Sequence, residues 1–294
     1  MPAEPALVAP AGFEALRARF DETIAGFLRT KRAELADLHP ETAGLADELL
    51  RLVSAGGKRL RPAFCYWGYR ATGGRDDERI VRAACSLELF HTFALIHDDL
   101  MDRTSERRGV RTSRPHLQAL AEQAGTPADA ERFGLSAAIL AGDLVAVWAD
   151  EMLLTSGFAP DALVRALVCV QEVRQQMGAG QYLDVSGAAA REPGTARLAA
   201  ALKGAAYTVS GPLAVGAELA GADPAALGAL SSFGEPLGEA FQLADDVVDA
   251  DAGHGATAET VNRLVDESVA ALDRAGLEPA AAEALRALAE SVRI

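Results

Sequence analysis

The sequence predicts an all-α protein, a single-domain bundle of long helices around a central cavity. Alanine and leucine dominate, aromatic residues make up only 5% of the chain, and runs of β-branched residues are short. These properties favour helices over strands. Half of the 294 residues are hydrophobic, which is enough for one sizeable core. We therefore expect residues 1–294 to form one domain.

The individual helices are indicated by apolar residues that recur near a 3.6-residue period. Clusters of glycine, proline and serine separate them. The first helix shows the pattern well, with Phe13, Leu16, Phe20, Ile24 and Phe27 on one face. The expected helices cover about 12–37, 41–53, 58–71, 76–102, 129–155, 161–187, 195–220, 225–249, 257–275 and 279–292. The polar, basic segment 103–115 is expected to be a loop, and no convincing strand pattern appears.

Charge and cysteine content limit the classes of function. The net charge of −14 argues against a general nucleic-acid-binding protein, which needs a basic surface. Cys65, Cys85 and Cys169 are scattered and odd in number, which is typical of reduced thiols in the cytoplasm. Met1–Pro5 has neither the basic start nor the apolar core of a signal peptide. We expect a cytoplasmic protein without a membrane span.

The most informative segment is a group of three carboxylates at the end of an apolar helical run. Asp98 and Asp102 are four residues apart, and Asp99 and Asp102 are three apart. On a helix, this spacing gathers all three on one side, where like charges repel each other. A cation should therefore lie there. Carboxylate ligands suit a hard ion such as Mg²⁺, which also binds phosphates.

The same spacing occurs a second time, at Asp245, Asp246 and Asp249, again after an apolar run. One such cluster is usually a solvated helix end. Two copies of one spacing, each next to apolar residues, are much less easily explained as solvated surface. We expect the two clusters to face each other from different helices.

Basic residues close to the acidic clusters provide candidate anion ligands. Lys58 and Arg61 flank the start of a helix after Gly56 and Gly57, and such a start favours anions. Taken alone, this turn is explained equally well as an anion site and as an ordinary exposed basic turn. Arg107 and Arg108 follow the first cluster, and arginine suits phosphate oxygens. Taken alone, that pair is better explained as a solvated loop.

Together these segments resemble the trans-isoprenyl diphosphate synthase (polyprenyl synthetase) family, over about residues 45–250. The resemblance rests on segments that occur in the family's order: Gly56–Pro62, Asp98–Asp102, Arg107–Gly109, Gly142–Asp143, Gly180–Gln181, Lys203 and Phe241–Asp249. It implies an all-α isoprenoid synthase fold, a homodimer and a chain-elongating prenyl transfer. In that reaction an allylic diphosphate ionises and isopentenyl diphosphate attacks the resulting cation. The paired aspartate motifs together with the Gly-Gly-Lys-x-x-Arg turn are highly specific.

The resemblance also implies roles for individual residues. The two aspartate clusters would hold three Mg²⁺ ions, or Mn²⁺ in their place, on the allylic diphosphate. Its other ligands would be Arg107, Lys203 and Gln242. The isopentenyl diphosphate would lie at Gly57, Lys58, Arg61, His91 and Arg108. Asp98, Asp99, Asp102, Lys203, Asp245 and Asp246 would be the catalytic residues.

The sequence departs from this family at two places. Gly204 follows Lys203 where the family usually has threonine or serine, so one diphosphate contact would be absent or come from Thr208. No lysine follows Lys203, although the family usually carries a lysine-containing loop after the second cluster. Either the loop is lost or a segment is missing after Asp249, and the normal flanking helices favour the second explanation. An intact mass above 30.7 kDa would support it.

Product length in this family depends on bulk on the helix before the first cluster. Phe93 lies five residues before Asp98, and no insertion interrupts Asp98–Asp102. This resembles synthases of a short-chain product, C20 or alternatively C15, with Phe93 contacting the end of the chain. A longer-chain synthase, a class I terpene cyclase and a non-catalytic subunit remain alternatives. A helical metal-binding or scaffold protein would not need Lys58 and Arg61.

Overall fold

In the computed structural model, the chain is described for residues 12–107, 109–125, 129–248, 257–273 and 276–294. The side chains of 193, 205, 245, 246 and 248 are not part of that description. The helices are α1 Phe13–Leu38, α2 Ala43–Ser54, α3 Leu60–Ala71, α4 Glu78–Met101, α5 Ser113–Ala124, α6 Ala130–Leu154, α7 Pro160–Val185, α8 Ala188–Arg191, α9 Pro193–Ala200, α10 Gly211–Ala220, α11 Pro224–Val248, α12 Ala258–Leu272 and α13 Pro279–Glu290. A 3₁₀ turn, Pro40–Thr42, precedes α2, and a π-helix, Ala201–Ser210, joins α9 to α10. The all-α prediction is confirmed.

Two details of the predicted loop at 103–115 are wrong. Strand β1, Glu106–Arg107, pairs antiparallel with β2, Val110–Arg111. Strands of two residues are too short to produce a sequence pattern. Helix α5 begins at Ser113, so Pro115 is in its first turn rather than in a loop. Proline is tolerated there because the first helical N–H groups have no partner within the helix.

The contacts divide the chain into two compact units, which are described separately here. The Asp98 unit comprises the described residues within Arg17–Arg59 and Val81–Ser156, and the Lys203 unit comprises those within Met1–Leu16, Leu60–Ile80 and Gly157–Ile294. This division does not test the prediction of a single domain, which stays a prediction.

The Asp98 unit has a core of fully buried apolar side chains from α1, α2 and α4, including Phe20, Leu49 and Leu89. Ion pairs fasten its helices together. Lys31 of α1 reaches Glu151 of α6 at 2.5 Å. Lys31 is itself almost completely buried, so this pair resists screening by solvent better than a surface pair.

The Lys203 unit is built on a close crossing of α3 and α10. A Cβ atom on Gly68 would lie 2.4 Å from the carbonyl oxygen of Leu213, and one on Gly216 would lie 2.0 Å from that of Cys65. Only glycine permits this backbone contact. Helix α12 packs on α11, where the buried Ser268 hydroxyl donates to the Phe233 carbonyl at 2.5 Å. The π-helix leads directly into the N-terminal end of α10.

Helix α4 also meets the length and hydropathy expected of a membrane-crossing helix. However, 67% of its apolar window is buried inside the protein. Its apolar character is therefore explained by packing in the protein core.

Candidate active site

The first carboxylate cluster lies at the C-terminal end of α4, as predicted. Asp98 and Asp99 are in the last turn, and the backbone N–H of Asp102 continues the helix by donating to the Asp98 carbonyl at 2.9 Å. Asp99 is only 8% exposed, whereas Asp102 is exposed. The C-terminal end of a helix already carries partial negative charge. Three carboxylates there need cations to stabilise them.

Arg107 supplies one such cation. Its Nε donates to Asp99 Oδ1 at 2.9 Å, and its Nη2 donates to Asp98 Oδ2 at 3.2 Å. The hairpin that carries Arg107 is anchored by Thr112, whose buried hydroxyl donates to the Thr104 carbonyl at 2.6 Å. The predicted closeness of Arg107 to the aspartates is therefore present. Its role toward a diphosphate stays a prediction.

The electrostatic state of Asp99 reflects its burial and the charges around it. Burial raises the pKa of Asp99, and the carboxylates of Asp98 and Asp102 raise it further, against the opposing effect of Arg107. Carboxylate oxygens gathered at one helix end suit a divalent cation such as Mg²⁺. Within the described residues, no three acidic, histidine or cysteine side chains are arranged closely enough to hold an ion.

In the second cluster, Asp245 and Asp246 lie in the last turn of α11. The side chains of Asp245 and Asp246 lie outside the described part of the molecule. The same is true of the whole residues Asp249 and Arg108. The expectation that the two clusters face each other, and the proposed role of Arg108, therefore stay predictions. The two explanations for the absence of a lysine-containing loop after Asp249 also stay predictions, because residues 249–256 lie outside the described part of the molecule.

A cavity of about 50 Å³ lies beside the first cluster in the Asp98 unit. Its wall includes Gly56, His91, Asp99, Arg107 and Arg111. The family resemblance implies that His91 binds isopentenyl diphosphate; His91 lies in this wall, and its role stays a prediction. Gly57 and Lys58 continue the chain from Gly56 and are half-buried.

Arg111 is a cavity residue that the sequence analysis missed. It is exposed, and none of the described carboxylates lies within ion-pair distance of it. The sequence gives little reason to single out Arg111, because it lies in a segment with several other arginines. Arg111 leaves a positive charge available for an anion at this cavity.

Arg59 was also missed, and it forms the structural centre of the Gly-Gly-Lys turn. It has φ +52° and is 5% exposed. Its guanidinium donates to Glu88 Oε1, Asp21 Oδ1 and the Val53 carbonyl, each at 2.7 Å. Glu88 is 5% exposed as well. This buried pair holds the turn that carries Gly57 and Lys58 against α4.

In the Lys203 unit, Arg61 and Lys203 each have a protein partner. Arg61 donates to the Thr208 hydroxyl at 2.9 Å and lies 4.2 Å from the centre of the Tyr207 ring. Thr208 is 3% exposed, so it is a buried partner of Arg61. Lys203 Nζ donates to Asp184 Oδ2 at 2.6 Å. These residues are on or against the π-helix, a geometry that is frequent at functional sites.

Phe93 and His97, one turn apart on α4, meet edge to face at an interplanar angle of 62°. Their ring centres are 4.6 Å apart, and Phe93 also lies 5.3 Å from the Phe90 ring. Gly142 of α6 leaves room for the imidazole, because a Cβ atom there would be 2.4 Å from His97 Nε2. Phe93 is half-buried on this helix. Its contact with a product chain stays a prediction.

The chain is similar to known proteins in both sequence and fold. The polyprenyl synthetase family model matches residues 43–286. A geranylgeranyl pyrophosphate synthase of Geoglobus acetivorans is 32% identical over 210 residues, which is 71% of this chain and 60% of that protein. A short chain isoprenyl diphosphate synthase of Methanothermobacter thermautotrophicus is 33% identical over 220 residues, 74% of this chain and 61% of that protein. The match thus spans about 60% of the length of these curated relatives.

A solved structure is similar over nearly the whole chain. It is the geranylgeranyl pyrophosphate synthase from Corynebacterium glutamicum, complexed with isoprenyl diphosphate and magnesium. The TM-score is 0.87 at 27% sequence identity, covering 96% of this chain and 98% of that one. The family match covers far more than half of the sequence and includes every described residue of both aspartate-bearing helix ends. The chain therefore belongs to the polyprenyl synthetase family.

Proposed function

We propose that this protein is a prenyltransferase that condenses isopentenyl diphosphate with an allylic diphosphate to give a short-chain, all-trans prenyl diphosphate. The observation that carries the proposal is the pairing of a carboxylate cluster, in which Asp99 is buried, with an adjacent cavity that bears arginine and histidine. A metal-bound diphosphate and a metal-free diphosphate need such neighbouring but different sites. Family membership and the names of the relatives support the same reaction.

The reaction transfers an allylic group from oxygen to carbon. The allylic C–O bond breaks and its electron pair leaves with the diphosphate. The alkene of isopentenyl diphosphate then forms the new C–C bond and loses a proton, which the departing diphosphate accepts. When bound, Mg²⁺ stabilises the negative charge that develops on this leaving group. We propose three ions, held by the two aspartate clusters.

The side chains of this protein bind the two substrates and exclude water. Asp98, Asp99 and Asp102 would hold the metal, while Lys203 and Gln242 would bind the allylic diphosphate directly. His91 and the turn at Gly57 and Lys58 would bind the second diphosphate. The apolar face of α4 would shield the carbocation from water, which would otherwise quench it.

The product is proposed to be C20, with C15 as the alternative. The names of the geranylgeranyl-type relatives support C20. Phe93 supports it as well, because its ring is fixed between Phe90 and His97 about one helical turn before the cluster. A rigid aromatic ring there would limit the length of the growing chain.

A homodimer is part of the proposal and has its own support. Phe133, Leu140, Val147 and Leu154 recur every seven residues on α6 and are 44–62% exposed. An apolar stripe of this length on a surface needs a covering partner. Light scattering would then give twice the chain mass, and Val147→Arg should give a monomer. A monomeric wild type would contradict it.

A cytoplasmic location remains a proposal, supported by three free cysteines.

One assay separates the proposed function from its alternatives. The protein is incubated with isopentenyl diphosphate and an allylic diphosphate, with and without Mg²⁺, and pyrophosphate release and product mass are measured. We expect metal-dependent release and a C20 product. A longer product would identify a long-chain synthase, and hydrocarbon from the allylic diphosphate alone would identify a cyclase. No turnover by the purified protein would favour a non-catalytic subunit.

A further inference from the structure

The imidazole of His97, on α4, fits against the backbone of α6 and has no part in the reaction proposed above. A Cβ atom on Gly142 of α6 would lie 2.4 Å from Nε2 and 2.6 Å from Cδ2 of His97. Gly142 is buried and His97 is half-buried. The missing side chain at position 142 therefore forms a socket that the imidazole fills, and the backbone of α6 limits how the ring can move.

The polar contacts of this imidazole with α6 are weak. Nε2 of His97 lies 3.5 Å from the carbonyl oxygen of Ile139, which is beyond the usual length of a hydrogen bond. It lies 3.8 Å from Asp143 Oδ1, and the Asp143 side chain is 60% exposed, so water screens any ion pair between them. The fit into the socket, rather than charge, therefore holds the imidazole in place.

The same imidazole packs against the ring of Phe93. Their ring centres are 4.6 Å apart and meet edge to face, an arrangement that aromatic rings favour. The Phe93 ring also lies 5.3 Å from the ring of Phe90, which is buried in the core. Because the core holds Phe90 and the socket holds His97, two fixed rings determine where the Phe93 ring can lie.

We infer that His97 is a positioning residue that controls product length by holding the ring of Phe93 in place. The inference rests on the proposed function, in which Phe93 limits the growing chain. A ring limits the chain only if it cannot turn aside. Without the imidazole, a space would open beside Phe93, and the ring could reach it by changing rotamer. His97 and the socket at Gly142 thus act on product length without having to contact the substrate.

The first test removes the imidazole and measures product length. The protein is incubated with isopentenyl diphosphate, farnesyl diphosphate and Mg²⁺, and the ratio of C25 to C20 product is determined by mass spectrometry. We expect His97→Ala to raise this ratio about fivefold, roughly 1 kcal/mol, which is the size of one aromatic pair interaction. In a Phe93→Ala background, His97→Ala should have no further effect, because the ring that it positions is absent. An unchanged ratio in His97→Ala, or additive effects in the double variant, would overturn the inference.

The second test keeps both rings and fills the socket. Gly142→Ala displaces the imidazole, and Gly26→Ala of α1 is the matched control, because a Cβ atom there meets only Arg29 Nη2 at 3.8 Å. Both substitutions gain the same helix propensity, so a difference between them reports the socket. Gly142→Ala should change the C25 to C20 ratio at least about twofold, but should have no effect in a His97→Ala background.

The outcomes separate the inference from the function on which it rests. Equal product ratios in Gly142→Ala and Gly26→Ala would overturn the role of the socket and with it the inference. If the wild type formed no prenyl diphosphate, the proposed function would fail and the inference with it. An active wild type with unaltered ratios in the variants would overturn the inference alone.

Discussion

The buried ion pair between Arg59 and Glu88 makes a quantitative stability prediction. Arg59 has two carboxylate partners in different surroundings, since the Glu88 side chain is 6% exposed and that of Asp21 is 48% exposed. The substitution Glu88→Gln removes the buried negative charge and leaves the buried guanidinium with one solvated carboxylate. Breaking a buried pair costs about 3 kcal/mol or more. Asp21→Asn alters a partner screened by water, at a cost of about 0.5 kcal/mol.

The assay is thermal unfolding of the wild type and both variants at one protein concentration. At roughly 2 °C per kcal/mol for a chain of this size, Glu88→Gln should lower the midpoint by about 6 °C and Asp21→Asn by about 1 °C. The two substitutions are chemically alike and act on the same guanidinium, so each controls for the other. Equal shifts, or a larger shift for Asp21→Asn, would refute the reasoning that burial controls the strength of this pair.

Three other predictions concern the cavity, the product and a thiol. Arg111→Gln should weaken metal-free binding of isopentenyl diphosphate severalfold. Arg114→Gln should not, because Arg114 is paired with Glu131 at 2.6 Å. Equal affinities of the two variants for isopentenyl diphosphate, measured by calorimetry, would contradict this prediction. Phe93→Ala should lengthen the product by at least one C5 unit, and unchanged product masses would show that Phe93 does not limit the chain. Burial, with help from Glu218 and Glu172, raises the pKa of Cys169 to about 11. The thiolate is therefore scarce at pH 8, so alkylation by iodoacetamide, followed by mass spectrometry, should accelerate steadily from pH 8 to pH 10 rather than level off.

The helices and the first aspartate cluster could be predicted because local sequence determines them. The apolar period that ends at Ile96 indicated a buried helix, and the spacing of Asp98, Asp99 and Asp102 depends only on helix geometry. The structure has α4 ending at Met101, one residue from the expected end. Helix α5 was missed for a local reason too, since Pro115 was interpreted as part of a loop although proline suits a first helical turn.

Arg59 could not be predicted in the same way, because its environment is set by distant parts of the chain. Its partners Asp21 and Glu88 are 38 and 29 residues away. From the sequence alone, Lys58, Arg59 and Arg61 form one basic run, and all three would be expected to reach solvent. Burial makes Arg59 a structural residue and leaves Lys58 beside it as the candidate ligand.

Glycine gives the sequence a different kind of ambiguity. Gly180 and Gly204 are in helices where glycine is unfavourable by about 1 kcal/mol relative to alanine, and sequence alone cannot say what offsets that cost. In the structure, a side chain packs against each of these glycines: Lys203 against Gly180 and Gln242 against Gly204. Gly204 initially counted against a complete diphosphate site, since it lacks the hydroxyl expected there. In the structure the same glycine leaves the space that the Gln242 carboxamide occupies, and the role of both residues toward a diphosphate stays a prediction.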